Sequence, residues 1–163
     1  MVFVTVGSQK FQFDRLIKAV DALCADGIIE SGCFAQTGAC AYEPQHMEHK
    51  DFLDLEEFRA RMDACDTVIT HGGTGAIIGA VKDGKKVIAV PRHARYGEHV
   101  DDHQVEIVCQ FAEMGLIEPC YETEELADAY RRSQEKSYLA YTSNTDKFVA
   151  DLGGYIDSLG GGR

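Results

Sequence analysis

Short apolar runs alternate along the chain with longer segments in which apolar residues recur at helical spacing. Residues 2–6 form a β-branched run that stops at Gly7, and this predicts a buried strand. From Phe13 the apolar residues fall on one helical face until Gly27, which predicts an amphipathic helix. The same reasoning predicts further strands at 33–37, near 50–52, and at 67–70, 86–90 and 116–117, and further helices at 55–65, 76–82, 101–114, 123–136 and 145–159.

The alternation of strands and helices predicts one α/β domain, a Rossmann-like parallel sheet with helices on both faces. We expect this domain to span residues 1–159, with 160–163 as a flexible tail. Ligands of such sheets bind beyond the carboxyl ends of the strands. Candidate site residues therefore gather at one edge. The strand ends carry Gly7-Ser8, Thr37-Gly38, the segment 71–75 and the segment 91–102.

The composition narrows the range of functions. The chain has 163 residues, a net charge of −11 and a pI of about 4.9. Nucleic-acid binding and a polybasic membrane patch both need clustered Lys and Arg, so we expect neither. Six cysteines without a C-x-x-C pair, and the absence of a signal-peptide pattern, predict reduced thiols in the cytoplasm. No apolar stretch approaches the ~18 residues of a membrane span, so we expect no direct span.

The segment His-Gly-Gly-Thr-Gly at 71–75 joins a predicted strand to a predicted helix. Glycines let backbone N–H groups approach a ligand, and the helix start adds unsatisfied donors that favour a phosphate. Thr74 adds a hydroxyl and His71 a ring N–H, so one interpretation is a diphosphate cradle. The other is a glycine-rich turn in which His71 is a satisfied hydrogen-bonding residue. The segment matches neither a Walker A loop nor G-x-G-x-x-G.

A dense polar cluster follows at 96–104 and leads into a predicted helix. Its carboxylates and its amide suit the recognition of sugar hydroxyls. His99 and His103 stand at i and i+4, which can bind a metal on one helical face. However, no H-E-x-x-H motif is present and acidic residues also suit a helix start, so we predict no metal site. The residues of this cluster assigned to ligand recognition are Glu98, Asp102, His103 and Gln104.

Three ordered motifs resemble the C-terminal domain of family 28 glycosyltransferases. They are Val-Ile-Thr-His-Gly-Gly-Thr-Gly at 68–75, Gly-Lys-Lys-Val-Ile-Ala-Val-Pro-Arg at 84–92 and Asp-His-Gln at 102–104. The segments 3–8 and 36–38 also fit, so the likeness covers roughly residues 1–115. The chain is most similar to stand-alone versions of the domain. These are the small subunit of the two-part N-acetylglucosaminyltransferase of dolichol-linked glycan assembly, and bacterial capsule and exopolysaccharide subunits.

The resemblance implies one half of a GT-B glycosyltransferase, which binds a UDP-sugar as donor substrate and holds no tightly bound cofactor. It implies that Asp102 and Gln104 reach the donor sugar. Family members often carry a Glu on the helix after the glycine loop, where it contacts the ribose hydroxyls, but the matching position here is Gly79. The other implied donor-binding residues are Gly7, Ser8, Gln36 and Gly38 at the inner edge of the cleft, and His71, Gly72, Gly73, Thr74 and Gly75 at the diphosphate.

The expected function is the UDP-sugar-binding subunit of a two-component hexosyltransferase. One domain supplies one wall of a cleft, so we expect a membrane-associated partner subunit to supply the acceptor site and the catalytic base, and to recruit this chain to the inner face of the membrane. His71 and Thr74 are expected to stabilise the diphosphate. The bacterial likeness implies a lipid-linked acceptor in capsule or exopolysaccharide biosynthesis. Two alternatives stay open: a non-catalytic accessory subunit, which Gly79 favours, and a self-contained homo-oligomeric enzyme.

Overall fold

The structure, a computed structural model, describes residues 1–30 and 32–142. The helix expected at 145–159 and the tail at 160–163 lie outside the described residues. The described strands are β1 (Val2–Thr5), β2 (Cys33–Gln36), β3 (Glu48–Lys50), β4 (Thr67–His71), β5 (Lys86–Val90) and β6 (Glu118–Pro119). The described α-helices are α1 (Asp14–Ala25), α2 (Leu55–Ala64), α3 (Thr74–Lys82), α4 (His103–Glu113) and α5 (Leu126–Glu135), and short 3₁₀ helices cover Ala94–Tyr96 and Thr123–Glu125.

The described strands form one parallel sheet in the order β3-β2-β1-β4-β5-β6. This is the strand order of a Rossmann fold, and it confirms the fold class expected from the alternation of strands and helices. The chain moves from β1 to β2 and β3 on one side, and then returns to β4 on the other side of β1. The order therefore reverses between β1 and β4, where the loops diverge and leave a crevice at the carboxyl ends.

The hydrophobic core has two layers, one on each face of the sheet. Val2 and Val4 of β1 pack in the layer that contains α1 and α5, whereas Phe3 packs in the layer that contains α2, α3 and α4. Both faces of β1 are therefore covered. This explains why the sequence of β1 is an unbroken apolar run rather than an alternating one.

The helices beside the crevice start in different ways. At α2 the carboxylate of Asp54 accepts from the N–H of Glu57 at 2.8 Å, and the Glu57 carboxylate accepts from the N–H of Asp54 at 3.0 Å. This reciprocal pair satisfies two N–H groups at the start of α2. At α3 the residue before the first turn is Gly73, which has no side chain to serve as a cap. The first N–H groups of α3 are therefore left for other acceptors.

Several boundaries differ from the sequence-based expectation. β3 lies at 48–50 and not near 50–52, and its side chains are all exposed, so no apolar pattern marks it. The last described strand lies at 118–119, where it pairs with Ile88 and Ala89 of β5, and not at 116–117, which is buried in the core ahead of it. α3 begins at Thr74, before the expected start at 76. The helix expected at 123–136 is a 3₁₀ helix followed by α5.

Candidate functional site at the carboxyl edge of the sheet

A cleft of about 550 Å³ opens where the strand order reverses. Its walls are the loops that follow β1 and β4, the end of β2 and one side chain of α2, Phe58. The topology thus brings together side chains and glycines from four separate parts of the sequence. The predicted residues that line the cleft are Gly7, Ser8, Gln36, His71, Gly73, Thr74 and Gly75. The lining also contains Thr5, Gln9, Phe58 and Ala76, which the sequence analysis did not single out.

The start of α3 presents backbone N–H groups to this cleft that have no hydrogen-bond partner within residues 1–30 and 32–142. The N–H of Ile77 donates to the carbonyl of Gly73 at 3.1 Å and begins the helical ladder. The N–H groups of Thr74, Gly75 and Ala76 precede the ladder and have no helical partner. All three residues line the cleft, and Thr74 and Gly75 are exposed. This arrangement suits an anion, because the donors converge at the positive end of the helix dipole.

The imidazole of His71 is buried between two glycines, one from each neighbouring loop. A Cβ atom at Gly7 would lie 2.7 Å from the ring, and a Cβ atom at Gly73 would lie 2.3 Å from it. Gly7 also has a φ of 77°, which disfavours any other residue there. Burial, followed by the nearby charge of Arg92, lowers the pKa of His71 to about 4. The ring is therefore neutral at physiological pH.

The tautomer of His71 follows from its neighbour Thr70. The Thr70 hydroxyl donates to the carbonyl of Thr5 at 2.9 Å, so its oxygen is left to accept from Nδ1 of His71 at 3.3 Å. This assignment places the ring proton on Nδ1 and leaves Nε2 without one. The ring N–H is thus used inside the protein, in agreement with the alternative interpretation of a satisfied histidine. A direct role of His71 at the diphosphate stays a prediction.

The loop after β1 is held against the ends of β2 and β4. The N–H of Gly7 donates to the Thr5 hydroxyl at 3.3 Å, and that hydroxyl donates to Oε1 of Gln36 at 3.0 Å. Gly38 lies outside the cleft lining and packs beneath this loop. A Cβ atom at Gly38 would lie 3.0 Å from the carbonyl oxygen of Gly7, and its φ is 59°. Gly38 therefore shapes the inner edge of the cleft from behind.

Gln104 joins α4 to the ends of two strands. Its Oε1 accepts from the N–H of Gly72 at 3.2 Å and from the N–H of Arg92 at 3.1 Å. The close approach of α4 also explains Gly72, where a Cβ atom would lie 2.7 Å from Cβ of Gln104. Gly72 and Gln104 lie outside the cleft lining as positioning residues. Only the amide nitrogen of Gln104 is left for a ligand, because its oxygen already has two partners.

Glu98 is an internal anchor among the described residues, and its role in ligand recognition stays a prediction. Its side chain is 1% exposed and forms two 3.0 Å contacts with the guanidinium of Arg15 on α1. The same carboxylate accepts from the N–H of His93 at 3.0 Å, and Arg15 also donates to the carbonyl of Pro91 at 3.2 Å. The pair fixes the loop that follows β5. The sequence around either residue does not indicate this ion pair, since Arg15 and Glu98 are 83 residues apart.

Asp102 and His103 lie at the start of α4, outside the lining of the cleft. Asp102 accepts from the N–H of Ala94 at 2.8 Å and keeps an exposed side chain. His103 is exposed, and its Nδ1 lies 3.3 Å from the carboxylate of Glu106. Within 1–30 and 32–142 no group of three or more His, Cys, Asp or Glu side chains is arranged to hold a metal ion. No helix in that part of the chain is long and apolar enough to cross a membrane.

The sequence profile described as the glycosyltransferase family 28 C-terminal domain matches residues 1–153. The chain belongs to this family. This confirms the resemblance seen in the motifs at 68–75, 84–92 and 102–104, and it extends the likeness beyond residue 115.

Individual relatives agree with the family assignment. The chain is 34% identical over 82 residues to the UDP-N-acetylglucosamine transferase subunit ALG13 of Candida glabrata, a match that covers 50% of this chain and 39% of that protein. The NMR solution structure of ALG13 superimposes with a TM-score of 0.60 at 19% identity and covers 93% of both chains. The crystal structure of MurG from Acinetobacter baumannii gives a TM-score of 0.52 at 16% identity, over 91% of this chain and 48% of MurG. The two structural similarities show a shared fold.

Proposed function

We propose that this chain is the donor-binding subunit of a UDP-sugar glycosyltransferase whose second wall comes from a partner polypeptide. The observation that carries the proposal is the start of α3, where the N–H groups of Thr74, Gly75 and Ala76 face a cleft at the switch point of a Rossmann sheet. A nucleotide diphosphate fits such donors. The family assignment and the ALG13 relative support UDP as the nucleotide and N-acetylglucosamine as the first sugar to test.

The same donors suit the chemistry of sugar transfer. The leaving group is the diphosphate, whose negative charge grows as the glycosidic bond breaks. Backbone N–H groups at a fixed helix start, together with the Thr74 hydroxyl, stabilise that charge without reorganising. The acceptor hydroxyl needs a general base beside it. Of the described groups that line the cleft, only His71 titrates near neutrality in a free peptide, and its Nε2 is packed against Gly73, so the base is assigned to the partner.

The partner is proposed because the Candida glabrata relative is named as a subunit of a UDP-N-acetylglucosamine transferase. The described residues supply one wall of a cleft, and the partner would supply the other. A membrane-associated partner would bring a lipid-linked acceptor to the carboxyl edge of the sheet. A lipid-linked acceptor remains part of the proposal, whereas the capsule or exopolysaccharide pathway has no support in the relatives described above.

An NMR titration of the ¹⁵N-labelled full chain with UDP tests the proposal, with GDP as control. We expect the amide signals of 72–75 and of Ala76 to shift with UDP, and the side-chain amide of Gln104 to shift with UDP-N-acetylglucosamine. Equal shifts with GDP, or no shifts at millimolar UDP in both the free chain and its complex, would contradict it.

Gly79 favours a second candidate function, a non-catalytic accessory subunit. It lies on the exposed side of α3, and a Cβ atom added to it would meet no described atom within 4 Å, so the surrounding fold does not require a glycine. A larger side chain would fit at this position, so steric hindrance does not explain why the ribose contact expected from the family is missing. An accessory subunit would stimulate its partner even when Thr74→Val and Gly75→Asp remove donor binding. A donor-binding subunit would lose that stimulation.

A further inference from the structure

The described lining of the cleft has no cationic side chain to bind a negatively charged ligand, and a buried one lies behind the lining. UDP carries a negative diphosphate, yet the described residues that line the cleft include no Lys or Arg. His71 is neutral at physiological pH because burial lowers its pKa to about 4. The chain as a whole is strongly acidic, with a formal charge of −11. Within this described lining, the positive field therefore comes from the partial charges at the start of α3.

Arg92 lies directly behind this lining and is completely buried. Its Nη2 donates to the carbonyl of Val6 at 2.8 Å and to the carbonyl of Phe11 at 3.2 Å, so the guanidinium sits beneath the loop that follows β1. Its backbone N–H shares the acceptor Oε1 of Gln104 with Gly72 of the glycine loop. Arg92 thus contacts the loop after β1 from its inner side and is linked to the glycine loop only through Gln104.

The charge of Arg92 has no dedicated counter-ion in the part of the chain that the structure describes. Nε and Nη1 are buried and without a hydrogen-bond partner there. Two ionisable groups, Cys40 and Glu98, lie close enough to raise the pKa of Arg92 when they are charged. Glu98 is already paired with Arg15, and burial raises the pKa of the Cys40 thiol to about 11, so that thiol is neutral. A guanidinium stays protonated even where burial lowers its pKa.

An unpaired buried charge is strongly destabilising, so its presence calls for an anion. The guanidinium of Arg92 lies close behind the cleft, because it donates to the carbonyl of Val6, the residue before Gly7 of the lining. Its charge also contributes to the depressed pKa of His71. We propose that the donor diphosphate is the missing counter-ion of Arg92, which attracts it through the loop after β1 without touching it. This inference rests on the proposed function. It makes Arg92 a positioning residue that selects for ligands by their charge.

Ligands of graded charge separate this role from a structural one. The full chain is compared with Arg92→Met, which removes the charge and keeps the volume, and with Arg92→Lys, which keeps the charge. The affinities for uridine, UMP and UDP are measured by NMR titration. We expect Arg92→Met to weaken the binding of UDP about tenfold and the binding of uridine less than about twofold. Only a charged ligand interacts strongly with a cation across a low-dielectric layer. At a pH where the new ammonium is protonated, which burial moves below the usual range of lysine, Arg92→Lys should bind UDP within about threefold of the natural chain.

Other outcomes overturn the proposal. Equal losses for uridine and UDP in Arg92→Met would show that Arg92 only holds the loops. A loss of UDP affinity in Arg92→Lys as large as in Arg92→Met, at a pH where the lysine is protonated, would show that the charge is irrelevant. Arg92→Gln provides a second charge-free variant if Arg92→Met does not give a folded amide spectrum.

The titration of the His71 ring provides a readout that needs no ligand. Removal of a nearby cation should raise the pKa of His71 in Arg92→Met, whereas Arg92→Lys should leave it near its value in the natural chain. An unchanged pKa in Arg92→Met would overturn the inference, because the charge would not reach the cleft. Absence of UDP binding to the natural chain and its complex would instead contradict the proposed function, and the two failures remain distinguishable.

Discussion

His71 and Gly73 are packed so closely that a Cβ atom on Gly73 would lie 2.3 Å from Nε2 of the imidazole. The ring occupies the space between the loops after β1 and β4, where a larger neighbour cannot fit. The glycines of the 71–75 segment therefore serve two different purposes. Gly72 and Gly73 are required by internal packing, whereas Gly75 has no described atom within 4 Å of its Cβ position and faces the cleft.

The Gly73→Ala substitution should destabilise the fold by about 1–3 kcal/mol, because the new methyl group overlaps a buried ring that cannot move away. Gly75→Ala is the matched control and should change the free energy of unfolding by less than about 1 kcal/mol, since its Cβ position is open. Urea denaturation of both variants measures the difference. Equal stability of the two would show that His71 repacks without strain.

Gly75→Ala should nevertheless weaken UDP binding. A methyl group at this position would stand over the N–H groups that the diphosphate approaches, while the fold stays intact. The NMR titration with UDP checks this, and the urea midpoint of the same sample shows that stability is retained. Unchanged affinity in Gly75→Ala would place the diphosphate elsewhere.

The free energy of unfolding should decrease as the pH is lowered, and His71 should account for part of this decrease. Its pKa is lowered from 6.5 to about 4 in the folded state, so between these values the unfolded chain binds more protons. The contribution of neutral His71 is complete above pH 6.5 and is lost as the pH falls toward 4. The loss should reach about 3 kcal/mol. Urea unfolding at several pH values measures this dependence of stability on pH. The natural chain should show the loss and His71→Gln should not. The substitution of an exposed histidine, His103→Gln, is the control and should retain the loss.

Gln104→Leu should destabilise the fold, because the N–H groups of Gly72 and Arg92 would both lose their acceptor inside the protein. Each unpaired buried N–H costs about 1–3 kcal/mol. Gln104→Glu keeps an oxygen in the same place and should remain close to the natural stability. If the amide nitrogen binds the donor sugar, Gln104→Glu should weaken the binding of UDP-N-acetylglucosamine more than that of UDP, because the added carboxylate repels the diphosphate of both ligands alike. Equal effects on both ligands would argue against a sugar contact.

Gly79→Glu should strengthen UDP binding by restoring the carboxylate that the family pattern places near the ribose. A hydrogen bond to a charged group contributes about 1.5–3 kcal/mol, so an increase of about tenfold or more is expected. Gly79→Ala is the control for helix propensity, and it should raise stability by up to about 1 kcal/mol without changing affinity. If Gly79→Glu binds UDP no better than Gly79→Ala, the ribose lies away from this face of α3.

The sequence predicts the fold well where buried elements give a recognisable pattern of apolar residues, and poorly where the elements are exposed. The apolar runs of β1, β4 and β5 give their positions, since these strands are covered on both faces. β3 has only exposed side chains, and the half-exposed Phe52 draws the expected strand past its true end. The shape of the polar cluster at 96–104 depends instead on pairing across the fold.

The same limit applies to the site. The glycine loop is visible because a strand, a turn and a helix start are neighbours in sequence. The burial of Glu98 and Arg92 cannot be predicted from the sequence. A Glu in a polar loop and an Arg after a Pro both suggest exposed charges. Their burial follows from Arg15 and from the carbonyls of Val6 and Phe11, which are distant in sequence. Such partners become apparent only when the sheet is assembled.

The shared acceptor on Gln104 has a consequence for how a donor is sensed. One oxygen atom ties the turn after β4 to the chain just beyond β5, so neither can shift without changing the hydrogen bond of the other. A ligand that engages both would therefore bind cooperatively, since ordering one contact removes part of the entropy of ordering the other. An intact nucleotide sugar should gain more free energy than its two fragments do separately. Under the proposed function, the chain would then hold an intact nucleotide sugar more tightly than the nucleotide alone.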